Sequence, residues 1–152
     1  MNAKAPDPLS PAIERAGASD LIGIRWLLEM EALPSADITE EALQHFLVFR
    51  DERGVAGVVG LETFSDAALL RSLVVTGELI GRGLGRRLVL AAEALAAELG
   101  IRLIYLLTTS SSTFFEHLGF RSLDRKEAPL AIQGTREFVS LCPATAVLMV
   151  KP

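Results

Sequence analysis

The chain has one cysteine, two histidines, one tryptophan and one tyrosine among its 152 residues. The lone cysteine, Cys142, closes no disulfide within the chain, and two histidines argue against a multi-ligand zinc site. No metal is therefore expected. No apolar run reaches the roughly 18 residues that a membrane span needs, so no membrane association is expected. The first residues carry Pro6, Pro8 and Pro11 and no hydrophobic stretch, which is unlike a secretory signal. A cytoplasmic location follows by default. Basic residues are outnumbered, 15 against 19 acidic, for a net charge of −4. That balance argues against sequence-independent nucleic-acid binding, which needs a basic face for phosphates. What remains is an ordinary globular composition, 50% hydrophobic and 22% charged, whose expected partner is a small molecule.

Residues 1–12 read as a flexible tail and 13–152 as one domain. A short strand is expected near Ile13–Ala16, then a helix from Ser19 or Asp20 to Glu31, ended by Leu33-Pro34. A short helix starts at Thr39-Glu40-Glu41. Strands follow at Phe46–Arg50, Val55–Phe64 and Leu69–Val75, joined by turns too short for anything but antiparallel neighbours. Gly81-Arg82-Gly83-Leu84-Gly85 opens a long helix with Leu84, Leu88, Ala92, Leu95 and Leu99 at helical spacing, stopped by Gly100. Ile101–Leu107 reads as a buried strand, parallel to its predecessor because a helix intervenes. A hydroxyl-rich loop, Thr108–Thr113, leads to a short helix at Phe114–Leu118, and strands at Phe120–Asp124 and Ala146–Val150 complete the pattern. Lys126–Pro143 has no clear assignment. The class is α+β, in α/β/α layers: a mixed, mostly antiparallel sheet of six or seven strands with helices on both faces.

The strongest chemical signal is the strand before the glycines together with the helix they open. Closely spaced glycines let backbone approach a bulky anion, and the N–H groups of a helix's first turn point at it. Arg82, Arg86 and Arg87 add positive charge at the end where the helix dipole is already positive. The plainer alternative is a tight turn followed by a solvated, arginine-bearing helix face. A P-loop is excluded because Gly85 is followed by Arg86 and Arg87, not Lys and a hydroxyl residue. The dinucleotide fingerprint fails because Arg86 stands where its third glycine belongs.

The combination that remains, Leu73-Val74-Val75, four residues, then Ile80-Gly81-Arg82-Gly83-Leu84-Gly85, resembles the GCN5-related N-acetyltransferases (GNAT). Phe114-Phe115-Glu116-His117-Leu118-Gly119-Phe120 is similar to that family's segment after the fifth strand. The resemblance implies an acyl-CoA N-acyltransferase-like fold, split between its fourth and fifth strands to receive acetyl-CoA as co-substrate. It implies that the backbone of Leu73, Val74 and Val75 pairs with pantetheine. The amides from Gly81 through Arg82, Gly83, Leu84 and Gly85 to Arg86 would cradle the pyrophosphate, with Thr113 and Phe115 also against the cofactor.

Two positions depart from the family pattern. Ile80 replaces the usual Arg or Gln at the head of the glycine motif. Phe115 stands where many members have a tyrosine that protonates the leaving thiolate, and phenylalanine has no proton to give. Water, Ser112 or Thr113 are the alternative acids. Glu62, in an apolar strand, is the candidate base that deprotonates the acceptor ammonium. The competing reading has Glu62 facing solvent or pairing with Arg71. Arg71 is the candidate to grip an acidic substrate, with Ser72 and Thr109 beside it. His45 and His117 read as structural or exposed, and Tyr105 as core.

Three segments narrow the likeness: Ala68–Val75, Tyr105–Thr109, and Glu137-Phe138 with Leu141-Cys142-Pro143-Ala144 and Ala146. Together they resemble the bacterial arsenic-resistance-associated N-acetyltransferase-like proteins. That likeness implies a small-molecule amine as acceptor, with a link to arsenic or toxin resistance; a homodimer is a further possibility. Two competing functions remain at this stage, a non-catalytic acyl-CoA sensor and a metalloid-responsive protein using Cys142.

Overall fold

The computed structural model describes residues 12–141 and 145–152. The expected tail therefore falls outside the described residues except for its last position, and Cys142 falls outside them altogether. Seven strands form one sheet in the order β1-β2-β3-β4-β5-β7-β6. They are β1 (Glu14–Arg15), β2 (Phe46–Asp51), β3 (Gly54–Phe64), β4 (Ala67–Val75), β5 (Leu103–Thr108), β6 (Arg121–Leu123) and β7 (Val147–Lys151). Every neighbouring pair is antiparallel except β4 and β5. That parallel pair is joined through α2 (Leu84–Glu98), as a crossover helix requires. The mixed, mostly antiparallel α+β architecture matches the expectation.

Side-chain alternation sorts the core onto two faces. On one face Leu47, Phe49, Ala68 and Leu70 pack under Leu84, Leu88, Ala92 and Leu95 of α2, joined by Phe115 of α3 (Ser112–His117). On the other, Phe46, Val48 and Val58 pack against Ile24, Leu27 and Leu28 of α1 (Leu21–Met30). A third cluster joins Leu69, Tyr105, Leu148 and Val150 to Ala128 and Ile132, the latter in the short α4 (Leu130–Gln133). Tyr105 is core, as expected.

Several boundaries moved. β4 begins at Ala67, not Leu69, and β5 at Leu103, not Ile101. Helix α2 starts at Leu84, because Gly81 and Gly83 adopt φ of +87° and +79° and cannot continue a right-handed helix. Helix α3 starts at Ser112, which takes Ser112 and Thr113 out of the expected loop. The unassigned stretch after Lys126 contains α4 and a π-helical segment at Glu137–Leu141. Arg125 holds that stretch to the sheet, donating to the carbonyls of Phe138 and Ala146 with its guanidinium 4.5 Å from the Phe138 ring. Among the described residues no helix is long and apolar enough to cross a membrane.

Candidate active site

Parallel pairing between β4 and β5 runs only from Ala67–Leu103 to Leu69–Tyr105. Beyond it β5 stays paired to β7, Leu106 with Met149 through Thr108 with Val147, while β4 stays paired to β3. The two strands therefore part, and a cleft of about 560 Å³ opens between them. Arg71, Ser72, Leu73, Val74 and Val75 line it from β4. Ile80, Gly85, Thr109 and Phe115 line it from the loops and helices around its rim. Past Leu69 the edge of β4 that faces β5 has no strand partner among the described residues, leaving backbone donors and acceptors for an extended ligand.

The register on the other edge of β4 slips. Val58 pairs with Val74 and Gly60 with Arg71, so Ser72 and Leu73 together oppose the single residue Val59. This is a β-bulge, and Ser72 takes a left-handed φ of +62° to make it. The extra residue inverts the alternation of side chains. Leu69 faces the same side of the sheet as Tyr105 before the bulge, and Val74 joins the α1 cluster after it. Holding a serine in this conformation costs about 1–2 kcal/mol. Arg71 Nε donates to Ser72 Oγ at 3.0 Å, one contact that offsets the strain.

The start of α2 lies at the mouth of the cleft. Its first helical bond runs from Arg87 N–H to the Gly83 carbonyl, and no side chain caps the N-terminus. The Arg82 N–H donates to the Leu79 carbonyl at 3.3 Å, whereas the N–H groups of the helix's first turn have no helical partner and suit an anion. A Cβ at Gly81 or Gly83 would meet nothing within 4 Å, so the glycines serve backbone conformation and leave open space. The residues fit a diphosphate by geometry. Gly81, Arg82, Gly83 and Arg86 are exposed at this turn; Leu84 points instead into the core.

Arg71 is the electrostatic centre of the inner end. Its guanidinium is buried, yet all five N–H donors are engaged. Nη1 donates to Asp37 and, at 3.0 Å, to Glu62; Nη2 donates to Asp37 at 2.9 Å and to the Pro34 carbonyl at 3.3 Å. Nε, which donates to Ser72, also lies 2.9 Å from Glu137 Oε2. Burial alone would favour losing the charge, but hydrogen bonds and attraction from Asp37, Glu137 and Glu62 outweigh it and hold the guanidinium charged. Arg25 of α1 donates to the Ile38 carbonyl and so fixes the loop that carries Asp37.

These contacts revise the expectation for Arg71. Its donors are spent inside the protein, so it does not present them to an acidic substrate. Glu62 pairs with Arg71, as the competing reading had it, and lines a second pocket of about 250 Å³ behind the guanidinium, not the cleft. Ser112 and Thr113, in the first turn of α3, do not line the cleft; Ser110 and Ser111 do. Phe115 lines it while packed edge-on against Phe114 and Phe120, with centroids 5.0 and 5.6 Å away. Asp37 was missed by sequence reasoning, and Glu137 entered it only within a likened segment, with no role assigned; the buried arginine brings the two together.

Comparison with known proteins agrees with this geometry. An uncharacterised N-acetyltransferase of Chlorobaculum tepidum is 31% identical over 93 residues, which is 60% of this chain and 59% of that relative. A Mycobacterium tuberculosis protein in complex with CoA superposes with a TM-score of 0.77 at 22% identity, over 92% of this chain and 98% of its own. The N-acetylglutamate synthase of Neisseria gonorrhoeae, complexed with coenzyme A and N-acetyl-glutamate, gives 0.79 at 22% identity, over 92% of this chain and 34% of its own. At that identity the two structures establish the shared fold. Residues 42–122, more than half of the chain, match the sequence model of the acetyltransferase (GNAT) domain, and the protein belongs to that family.

Proposed function

We propose that the protein transfers the acetyl group of acetyl-CoA to the amine of a small molecule. The observation that carries this reading is the parting of β4 from β5 beyond Leu69 and Tyr105, with the uncapped start of α2 at its mouth. Acetyl-CoA supplies an activated thioester, and the chain's task is to position and polarise it. Amides from Gly83 to Arg86 receive the pyrophosphate, with the Arg82 and Arg86 side chains adding positive charge. The free edge of β4 at Leu73 and Val75 pairs with the pantetheine amides as an added strand would. Backbone N–H at the Ser72–Leu73 bulge, released from the ladder, stabilises charge developing on the thioester oxygen.

Glu62, outside the cleft lining, takes the proton of the acceptor ammonium through water from the pocket behind Arg71. Water returns a proton to the departing thiolate, Ser112 lying outside the cleft lining. A thiol with a solution pKa of about 8.5 leaves tolerably well without a dedicated acid. A second reading, an acyl-CoA sensor without turnover, is favoured by Phe115, which offers no proton at the cleft. Thiol release from acetyl-CoA in the presence of an amine panel supports transfer; binding without release supports the sensor. The absence of any calorimetric response to saturating acetyl-CoA would sink both.

A physiological link to arsenic or toxin resistance rests on the three likened segments. Residues of each, including Ser72, Thr109 and Glu137, line the cleft. Metalloid tolerance of a deletion strain tests that link.

A further inference from the structure

Ser72 lines the cleft just past Leu69, where the pairing of β4 with β5 ends, and with Leu73 it opposes the single residue Val59 on β3. It is buried, and its φ of +62° lies in the left-handed region that glycine adopts without strain. Strain of that kind is tolerated where the side chain has a use. Here the side chain is a hydroxyl.

Its oxygen accepts from Arg71 Nε at 3.0 Å, which occupies one lone pair and leaves the hydroxyl hydrogen to be aimed elsewhere. Among the described residues that hydrogen has no acceptor. Accepting from a charged donor also strengthens a hydroxyl as a donor in its own right. A polarised O–H therefore belongs to the residue that forms the bulge in the cleft wall. Resting on the acetyl-transfer reading, we infer that Ser72 is a catalytic residue whose hydroxyl donates to the carbonyl oxygen of the acetyl thioester, alongside backbone N–H at the bulge.

The acceptor amine, deprotonated through water by Glu62, attacks the carbonyl carbon with its nitrogen lone pair. The C=O electron pair moves onto oxygen, where the Ser72 hydrogen bond strengthens as negative charge develops. When that pair returns, the C–S bond breaks, and the thiolate leaves with its electrons and takes its proton from water. Ser72 keeps its own proton throughout. A serine hydroxyl is too weak an acid to protonate a thiolate whose conjugate pKa is about 8.5, so its contribution is electrostatic.

Two variants separate the hydroxyl from the backbone. Ser72→Gly lacks the hydroxyl and suits the left-handed φ, whereas Ser72→Ala lacks it and keeps the strain. Each is assayed for thiol release from acetyl-CoA with an amine panel. The carbonyl stretch of saturating acetyl-CoA, isotope-labelled at that carbon, is read on the protein by infrared difference spectroscopy. In both variants kcat is expected to fall about a hundredfold, with KM for acetyl-CoA held within about twofold. The stretch is expected to move to higher frequency as the carbonyl loses a donor. Wild-type kcat in Ser72→Gly traces any effect to backbone strain and overturns the inference, as does an unchanged stretch in either variant. The stretch reads the contact without turnover. If the unaltered protein releases no thiol with any amine, acetyl transfer falls by itself; the shift then still upholds the hydrogen bond, and its absence overturns it.

Discussion

Nε of Arg71, on the central strand β4, lies 2.9 Å from Glu137 Oε2 in the segment after α4. The same guanidinium reaches Asp37 in the loop after α1 and Glu62 on β3. One buried side chain therefore ties both walls of the cleft's inner end to the strand that lines its length. Replacing Arg71 by alanine leaves three carboxylates facing one another. The variant is expected to lose about 3–5 kcal/mol of stability by denaturant titration. Arg71→Lys is expected to recover only part of it, since an ammonium has three donors and no planar fork.

Gly83 adopts φ of +79° directly before α2, with open space where a side chain would go. Gly83→Glu places a negative charge where the proposed function puts the diphosphate. Affinity for acetyl-CoA is expected to fall more than about tenfold by calorimetry. Gly83→Ala separates strain from charge: it costs about 1–2 kcal/mol of stability and much less affinity.

Phe115 borders the cleft with its ring held edge-on between Phe114 and Phe120. Phe115→Tyr adds a proton donor at that wall. Its kcat for thiol release is expected to rise at least about tenfold, within the range of positioned general acids. An unchanged kcat with intact cofactor binding would place the leaving-group proton elsewhere.

Asp20 is buried and accepts from Arg50 Nε at 3.0 Å and Nη2 at 2.8 Å, and from the Gly17 N–H at 2.8 Å. The Arg50 hydrogen bonds outweigh burial and lower its pKa below the ordinary 3.8. The folded state thus binds fewer protons than the unfolded chain near that value. This contribution is complete above about pH 4 and is lost as pH falls through the depressed folded value. Asp20→Asn is expected to lower stability at neutral pH by about 1–2 kcal/mol, Arg50 being partly exposed, and to flatten the acid limb of a stability–pH curve.

Local chemistry made much of the fold legible in the sequence. The Val-rich runs around Asp51–Gly54 and Ser65-Asp66 have turns too short to allow any but antiparallel pairing, and the observed β2-β3-β4 meander follows. The 3.6-residue spacing from Leu84 to Leu95 specified the buried face of α2. The glycines at 81 and 83 marked a turn before the helix because their conformational need is written in the residue type. The helix boundary was misplaced by three residues because a left-handed glycine precedes the helix instead of opening it.

The sequence by itself determined the order of strands and helices, the apolar faces and the glycine turn, since each depends on neighbours within a few positions. Only the tertiary structure decided what Arg71 does. Its partners come from a loop, a strand and a late π-helical segment whose sequences carry no shared pattern. Nor does a sequence show that a guanidinium's five donors are already spent, because hydrogen-bond saturation is a property of groups brought together by folding.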